Sequence, residues 1–254
     1  MSGADFVLAS TTWRTISAAT FDVAVLPWGA TEAHNFHLPY GTDTIEASAV
    51  AAEAARLACT AGARVIVLPA VPFGVHTAQF DIPFCLNLNP STQALILRDL
   101  VANVERAGVR KLVILNGHGD NDFRQIIREL QPETRVFLCT LNWYAAEDPA
   151  PYFDAPGDHA GELETSVMLH LAPDLVLPLD QAGKGTARQF RVRGLRDGTA
   201  WAPREWSKVT ADTGVGDPAA ANADKGARFF AATAARIAAF LADLAAADLA
   251  DMYE

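Results

Sequence analysis

The chain is organised around residues 25–46, which read VLPWGATEAHNFHLPYGTDTIE. The apolar run from Val23 to Leu26 is rich in β-branched residues, and Pro27 and Gly29 follow directly. Such a run, bounded by Pro and Gly, predicts a buried strand that ends at the start of a polar loop. An alanine-rich, helix-like sequence begins at residue 43. The stretch therefore predicts a strand, a polar loop and a helix in succession.

The loop carries four potential metal ligands within twelve residues, namely Glu32, His34, His37 and Asp43. Side chains two residues apart in extended backbone point the same way, so Glu32 and His34 are directed at one point. Asp43 can return to that point after the turn at residues 39–41. Carboxylate and imidazole donors suit zinc or manganese. A polar loop with two histidines is also common between a strand and a helix, so this segment alone leaves both interpretations open.

The composition is that of a large globular domain, and we expect one domain over residues 1–254. Half of the 254 residues are hydrophobic, and the formal net charge is −10, which makes nucleic acid an unfavourable partner. The sequence pattern predicts neither a signal peptide nor a membrane span, and hence no membrane partner. Cys59, Cys85 and Cys139 show no Cys-x-x-Cys spacing. They predict small buried side chains in a reducing compartment, the cytoplasm.

Apolar runs and helical patterns alternate along the chain. The predicted strands are at residues 21–28, 64–69, 111–115 and 135–141. The predicted helices are at 43–61, at 90–107 with Ser91 as its cap, at 120–130, at 161–171 and from Asp217 onward. β-Branched runs separated by helices favour an α/β fold with a mostly parallel sheet that is covered on both faces. Ligands of such sheets collect at the carboxyl ends of the strands, where the unusual polar residues of this sequence lie.

A second group of polar residues follows the third predicted strand, in the sequence NGHGDN at residues 116–121. Gly117 and Gly119 flank His118 and allow the backbone to bend tightly, which favours a histidine that serves as a ligand or an acid–base group. Asp120 follows at the predicted helix start, where a carboxylate is also an ordinary cap.

A third group is DHAGELETS at residues 158–166. A helix turns about 100° per residue, so His159 and Glu164 face one site only if His159 precedes the first turn. Glu164 is the better candidate for an inward carboxylate, whereas Glu162 could equally be solvated. The aromatic, proline-rich segment 142–158 is either a functional loop or a surface loop. Residues 184–216 are irregular, and we expect short strands there.

These three groups resemble, in order and spacing, the motifs of the creatininase family (creatinine amidohydrolases and relatives). The likeness is carried by LPWGATEAHNFHLPYGTD at 26–43, NGHGDN at 116–121, HAGELETS at 159–166, TGVGDP at 213–218 and DKG at 224–226. The resemblance spans nearly the whole chain. It implies a three-layer α/β/α sandwich that holds two divalent metal ions, zinc or manganese.

By position, the resemblance implies that Glu32 and His118 bind one metal, that His34 and Glu164 bind the other, and that Asp43 bridges both. Asp120 aligns with a position that is acidic in some members and glycine in others, so the resemblance makes it a candidate ligand in place of Glu164 or beside it. His159 matches the histidine that the family is thought to use for proton transfer. These roles imply a hydrolase in which the metal pair activates water. Relatives form ring-like hexamers, so the resemblance also implies a homo-oligomer.

The departures from the family pattern concern the substrate. The loop at 72–84 lacks the Phe-Pro-Gly-Thr of many relatives, Trp28 replaces a smaller residue, and Asn35-Phe36 replaces Gly-Pro. We therefore expect a small polar cyclic substrate other than creatinine, with a ring ketone or lactone as serious a candidate as an amide. A keto-inositol ring, an isomerase or lyase reaction, and a non-catalytic sensor are the alternatives. The side chains expected near the substrate are His76, Asp120, Trp143 and Tyr144.

Overall fold

The computed structural model describes residues 6–254, and its centre is a four-stranded parallel sheet in the order β2–β1–β3–β4. The strands are β1 at Val23–Trp28, β2 at Val65–Val67, β3 at Lys111–Asn116 and β4 at Phe137–Asn142. Each of the three strand pairings is parallel. The predicted α/β fold with a parallel sheet is thus confirmed, with strand ends that differ from the prediction by a few residues.

Eight α-helices accompany the sheet in the described part of the chain. They are α1 at Trp13–Ser17, α2 at Thr42–Thr60, α3 at Pro90–Arg106, α4 at Phe123–Leu130, α5 at Glu162–Leu171, α6 at Arg193–Arg196, α7 at Trp206–Val209 and α8 at Ala223–Ala246. The four longest connect or cover strands, while α6 and α7 are single turns within the long segment between α5 and α8.

Alternate residues of β1 belong to two different hydrophobic cores. Val23 and Val25 pack with residues of α2, α5 and α8 on one face of the sheet. Ala24 and Leu26 pack with residues of α3 and α4 on the other face. Successive strand residues point to opposite faces, so a strand that is apolar at every position requires cover on both sides. The three-layer α/β/α arrangement is therefore present as expected.

The strand order places a crevice at the carboxyl ends of β1 and β3. The chain passes from β1 through α2 to β2 on one side, and then through α3 to β3 on the other side of β1. Trp28 at the end of β1 pairs with Asn116 at the end of β3. Because the chain leaves β1 toward α2 on one face of the sheet and leaves β3 toward α4 on the other face, the loops that follow these two strands face each other across an open crevice.

Several local predictions were wrong. Helix α3 begins at Pro90, and Asn89 rather than Ser91 occupies the position before its first turn. Helix α4 is capped by Asp122, whose side chain accepts a hydrogen bond from the Arg124 N–H, so Asp120 is not the cap. The short strands expected within 184–216 are absent from this described segment, which forms α6 and α7 instead. The final helix begins six residues later than predicted, because Asn222 caps it.

One helix in the described residues, α8, is long and apolar enough to span a membrane by length and composition alone, with a mean hydropathy of 1.6 over its best window. This differs from the expectation that the chain has no apolar run of that length. The buried side chains of α8 include Phe229, Ile237 and Leu241, which lie in the core formed with α2 and α5. Packing against two other helices thus accounts for the buried part of this apolar helix.

Candidate metal centre

Glu32 and His34 lie in the loop that leaves β1, and both side chains are almost completely buried. His34 Nε2 lies 4.0 Å from Glu32 Oε1. The backbone N–H of Glu32 donates to the carbonyl of Tyr40 at 3.2 Å. This hydrogen bond brings the end of the loop back beside Glu32. The convergence expected from the two-residue spacing is therefore found in the structure.

Asp43 comes to the same point from the first turn of α2, where it is 1% exposed. Its Oδ1 lies 2.8 Å from His34 Nε2, and its Oδ2 lies 3.2 Å from His118 Nδ1. An aspartate in the first turn of a helix is also favoured by the helix dipole. Asp43 thus directs one oxygen toward each of the two histidines.

His118 reaches the cluster from the loop after β3, and its Nδ1 lies 2.8 Å from Glu32 Oε1. Gly117 is required here, because a Cβ at that position would lie 2.7 Å from the Asp43 carbonyl oxygen. A Cβ at Gly119 would meet nothing within 4 Å, so only the first of the two flanking glycines is needed for space. The Asn116 side chain holds the loop by donating to the His118 carbonyl and accepting from its N–H.

Three histidines of the cluster have one ring nitrogen fixed by a backbone carbonyl. His34 Nδ1 lies 3.1 Å from the Glu32 carbonyl, His118 Nε2 lies 2.8 Å from the Val75 carbonyl, and His159 Nε2 lies 2.8 Å from the Ala33 carbonyl. A carbonyl only accepts, so each of these nitrogens carries a proton and donates. The opposite nitrogen of each ring faces the cluster, which is the orientation found in metal-binding histidines.

His159 and Glu164 lie on either side of the start of α5. His159 precedes the helix and is paired with Val215 through two backbone hydrogen bonds, of 3.0 and 2.8 Å. Ala160 adopts a positive φ of 51°, and its N–H donates to a Glu164 carboxylate oxygen. The condition that His159 must precede the first turn is met. The cluster-facing His159 Nδ1 lies 3.8 Å from Glu32 Oε1.

The donor atoms form three overlapping groups in which all ligand atoms lie within 4.8 Å of one another. The groups are Glu32, His76 and His118; Glu32, His34 and His159; and His34, Asp43 and Glu164. Glu32 Oε1, Asp43 Oδ2 and His34 Nε2 are buried atoms without a hydrogen-bond partner of suitable geometry. Buried polar atoms of this kind require a partner. These oxygen and nitrogen donors fit zinc or manganese.

The pKa values reflect the same crowding of acids and histidines. Burial disfavours the charged form of both His34 and His118, but the adjacent carboxylates outweigh it. Asp43 raises the pKa of His34 to about 10, and Glu32 raises the pKa of His118 well above its usual value. Burial likewise disfavours the charged carboxylates, yet the facing histidines hold the pKa of Asp43 and of Glu32 below the usual range. Protons on the histidines thus offset the carboxylate charge.

A cavity of about 200 Å³ opens onto the cluster. Among the described residues that line it, five side chains are carboxylates and one is a guanidinium. The carboxylates are Glu32, Asp43, Asp120, Asp158 and Glu164, and the guanidinium belongs to Arg204. The carboxylates thus outnumber the guanidinium in the cavity wall by four.

Of the four residues expected near a substrate, some line the cavity and others are buried away from it. Asp120 and Tyr144 line the cavity, and burial together with Glu164 raises the pKa of Tyr144 to about 12. His76 is buried beside His118, with ring centroids 5.7 Å apart and neither ring nitrogen hydrogen-bonded. Trp143 does not line the cavity: it is 1% exposed and packs against Phe229 in the core. Its expected contact with a substrate is not supported, because the chain turns its neighbour Tyr144 toward the cavity instead.

Several residues of the site lie outside the sequence motifs. Gln79 donates to Glu32 Oε2 through its side-chain amide, and Cys85 Sγ donates to Gln79 Oε1 at 3.1 Å. Arg204 and Trp206 form part of the cavity wall. These residues lie in loop segments without hydrophobic periodicity, where a single sequence offers no signal for their orientation. Cys59, Cys85 and Cys139 are half-buried, whereas small buried side chains were expected.

Glu46 is a buried acid that sequence reasoning missed. It lies one turn after Asp43 in α2, is 0% exposed, and neither carboxylate oxygen has a hydrogen-bond partner. Burial first, and then the charges of Glu164 and Asp43, raise the pKa of Glu46 well above its usual value. Its position in the helix would have predicted proximity to Asp43, but nothing in the sequence indicated complete burial.

Together, the fold and the cluster define an α/β protein with a buried carboxylate–histidine centre at the switch point of its sheet. Residues 9–241 match the family described as Creatininase, creatinine amidohydrolase. The chain belongs to the creatininase family, and it is a metal-dependent hydrolase.

Two curated relatives illustrate the range of this family. The "Mycofactocin precursor peptide peptidase" of Mycobacterium tuberculosis is 34% identical over 221 residues, which cover 82% of this chain and 80% of the relative. The "Creatinine amidohydrolase" of Pseudomonas putida is 30% identical over 191 residues, covering 65% of this chain and 71% of the relative. The two names refer to a peptide and to a small cyclic amide.

Solved structures share the fold over the whole chain. A protein from Bacteroides fragilis NCTC 9343, provisionally assigned as a creatinine amidohydrolase, has a TM-score of 0.93 and 42% identity, with 99% of each chain covered. A mutant creatininase of Zn–Zn type has a TM-score of 0.73 and 25% identity, with 94% of this chain and 97% of that chain covered. Another creatininase structure, with a TM-score of 0.74 and 24% identity over 94% of this chain and 98% of that chain, is described as the Mn form.

Proposed function

We propose that this chain is a hydrolase with two metal ions in its site. It cleaves a bond to a carbonyl carbon in a small polar substrate. The observation that carries this proposal is the convergence of Glu32, His34, Asp43 and His118 in a buried cluster, where several donor atoms have no hydrogen-bond partner of suitable geometry. Five lining carboxylates against one guanidinium support two divalent ions rather than one.

The ligand assignment follows from the distances between donor atoms. Glu32 and His118, 2.8 Å apart, would hold one metal, and His34 and Glu164 would hold the second. Asp43 would bridge the two, because its oxygens face His34 and His118 separately. Asp120 lines the cavity but is absent from the three donor groups, which favours Glu164 as the protein ligand of the second metal.

The metals, when bound, would activate water and polarise the substrate carbonyl. The chain's own contribution is to position groups and move a proton. His159 is fixed through Nε2 to the Ala33 carbonyl, so its Nδ1 faces the cluster at a fixed orientation. We infer that Nδ1 accepts a proton from the attacking water and delivers it to the leaving group. His76, with both ring nitrogens unpartnered, would bind the substrate or complete the first metal's ligands.

The substrate class is narrowed by the size and polarity of the cavity. About 200 Å³ accommodates a small ring or the end of a peptide, and the lining is largely polar. We propose a cyclic amide, a lactone or a ring ketone, and a linear amide is the second candidate because a curated relative is named as a peptidase. A keto-inositol ring is a further member of the cyclic class, since another relative is named "3-dehydro-scyllo-inosose hydrolase".

Metal analysis tests the proposal directly. Protein loaded with Zn²⁺ or Mn²⁺ should contain close to two metal ions per chain, and His34→Ala and His118→Ala should each reduce that number. His170→Ala is the matched control, because His170 is an exposed histidine whose ring contacts Phe230. A metal-free protein with full activity would refute the proposal.

Isotope labelling separates hydrolysis from the other reaction classes. With a screen of cyclic amides, lactones and oxidised inositols, hydrolysis in ¹⁸O-labelled water must place the label in the product. A product without label would indicate an isomerase or a lyase. Tight binding of a screened compound without any turnover would indicate a sensor.

Assembly and location are part of the same proposal. We propose a homo-oligomer, with a hexamer as the specific expectation, because Phe36, Phe80 and Phe84 are 60%, 68% and 82% exposed. Light scattering coupled to gel filtration would give the subunit number. We propose a cytoplasmic location from the three free cysteines in this structure, which fractionation would test.

A further inference from the structure

Arg204 is the one Lys or Arg side chain among the described residues that line the cavity. Its guanidinium carbon lies 4.4 Å above the Trp206 ring, and its Nη2 donates to Asp158 Oδ2 at 3.0 Å. The side chain remains 37% exposed. The guanidinium is therefore fixed in orientation by two neighbours but still open to the cavity and to solvent.

Most hydrogen-bonding capacity of this guanidinium is unused. A guanidinium has five N–H donors, and the bond to Asp158 is the one hydrogen bond that the Arg204 side chain makes to another described residue. The planar fork of an arginine matches a carboxylate through two parallel hydrogen bonds. The contact with Trp206 and the bond to Asp158 restrict the guanidinium before any ligand binds, which reduces the entropy lost on binding.

Trp206 contacts both Arg204 and His159, the residue proposed to transfer protons. The Trp206 ring lies edge-on to His159, with centroids 5.5 Å apart and an interplanar angle of 90°. The Arg204 guanidinium carbon is therefore within about 10 Å of the His159 ring, the limit set by these two ring distances. One or two residues of extended chain span about 3.3–7 Å. A ligand of that length could place a carbonyl beside His159 and a carboxylate beside Arg204.

We propose that Arg204 binds a carboxylate of the substrate, so that the site selects anionic amides over their neutral counterparts. The inference rests on the proposed function, because it takes the reacting carbonyl to lie beside His159. The competing explanation is that Arg204 only fastens its loop to Asp158 and has no contact with the substrate.

Ligand binding tests the proposal without requiring turnover. Metal-loaded protein is titrated with N-acetylglycine, N-acetylglycylglycine and N-acetylglycinamide, and binding is followed by calorimetry. The wild type should bind at least one of the two acids about 10- to 100-fold more tightly than the amide. Arg204→Gln should abolish this preference with little change in the affinity for the amide, and Arg204→Lys should retain part of it. Arg193→Gln, an exposed arginine on the same segment, should leave it intact.

Three results would overturn the proposal. A preference for the acids that survives in Arg204→Gln would mean that the metals bind the carboxylate directly. An equal loss of affinity for the acids and the amide, reproduced by Asp158→Asn, would mean that Arg204 only holds its loop in place through the bond to Asp158. Equal affinity of the wild type for the acids and the amide would also overturn it.

Steady-state kinetics test the role of Arg204 independently of binding. They also distinguish a failure of this proposal from a failure of the proposed function. If the metal-loaded wild type hydrolyses acylated amino acids, Arg204→Gln should raise KM for the acid about 10- to 100-fold with a smaller change in kcat. If it hydrolyses none of the screened amides, lactones and ring ketones, the proposed function fails, while the binding experiment still decides whether Arg204 is an anion site.

Discussion

His118 Nδ1 lies 2.8 Å from Glu32 Oε1, although two helices and two strands separate these residues along the chain. The sheet brings them together. Glu32 follows β1 and His118 follows β3, and these two strands are neighbours that end side by side at Trp28 and Asn116. The cluster thus depends on the strand order, in which β2 is added on one side of β1 and β3 on the other.

Metal uptake should release protons and strengthen as the pH rises. In the metal-free protein the pKa of His34 is about 10 and that of His118 is well above its usual value, so both rings are protonated at neutral pH. A metal must displace these protons. The apparent Kd should fall by up to about tenfold per pH unit for each proton displaced, up to about pH 10. Calorimetry in buffers of different ionisation enthalpy measures the protons released, and a Kd independent of pH would contradict the prediction.

His159→Ala should lower turnover by about 10²–10⁴-fold with the metal content unchanged. The reason is that His159 Nδ1 faces the cluster from 3.8 Å, while its Nε2 is fixed to the Ala33 carbonyl. Steady-state kinetics and metal analysis of the same preparation are the measurements, with His170→Ala as the control. If the variant loses metal, His159 is instead a ligand, as its grouping with Glu32 and His34 would permit.

Gln79→Ala should weaken metal binding about 10- to 100-fold, because Gln79 donates to the Glu32 oxygen that does not face His118. Cys85→Ala should have a smaller effect in the same direction, since Cys85 contacts Gln79 rather than Glu32. Competition with a metal chelator gives the affinities. Gln181→Ala, an exposed glutamine, serves as the control. Unchanged affinity in Gln79→Ala would show that Glu32 is positioned without this hydrogen bond.

Glu46→Gln should stabilise the metal-free protein at neutral pH. The pKa of Glu46 is raised in the folded state, so its favourable contribution is complete below the unfolded pKa near 4.5 and is lost as the pH rises toward the folded value. A neutral glutamine avoids this loss. We expect a gain in the free energy of unfolding at pH 7.5 that fades below pH 4.5.

Urea unfolding at several pH values measures the effect of Glu46→Gln. Glu53→Gln on the same helix is the control, because Glu53 is paired with Arg56 near the surface, and its replacement should be neutral or slightly destabilising. A destabilisation by Glu46→Gln that is the same at every pH would show that the Glu46 carboxylate is not the source of the pH dependence.

Gly226→Ala should destabilise the contact between α5 and α8. A Cβ at this position would lie 1.9 Å from the carbonyl oxygen of Ser166, so the helices must move apart. We expect a loss of about 1–3 kcal/mol, measured by thermal or urea unfolding. Gly194→Ala is the control: its Cβ would meet nothing closer than 3.8 Å, and in helix α6 it should be neutral or stabilising. A neutral Gly226→Ala would show that α8 can shift freely.

The parts of the site that could be predicted are those controlled by short-range rules. Glu32 and His34 converge because side chains alternate in extended backbone. His118 reaches the cluster because Gly117 permits a close approach to Asp43. The covered parallel sheet followed from apolar runs between helices. Each of these inferences needs only a few neighbouring residues.

The remainder depended on contacts that no local pattern encodes. Trp143 and Tyr144 are adjacent aromatics, and only the packing of Trp143 against Phe229 determines that Tyr144 faces the cavity. Arg204 and Trp206 lie in a segment of single-turn helices and loops, whose position is fixed by hydrogen bonds such as the one from Trp206 Nε1 to the Thr213 carbonyl. Neither helical nor strand periodicity indicates such contacts.

The pairing of His159 with Val215 has a consequence for how such an enzyme can change over evolution. The donor cluster is built mainly on strand ends and on the first turns of α2 and α5, whereas Arg204 and Trp206 belong to a segment joined to His159 by backbone hydrogen bonds. Backbone pairing is indifferent to side-chain identity. Residues 184–216 can therefore accumulate substitutions that reshape the wall of the cavity while the reacting groups keep their places, so new substrates can be acquired without rebuilding the chemistry.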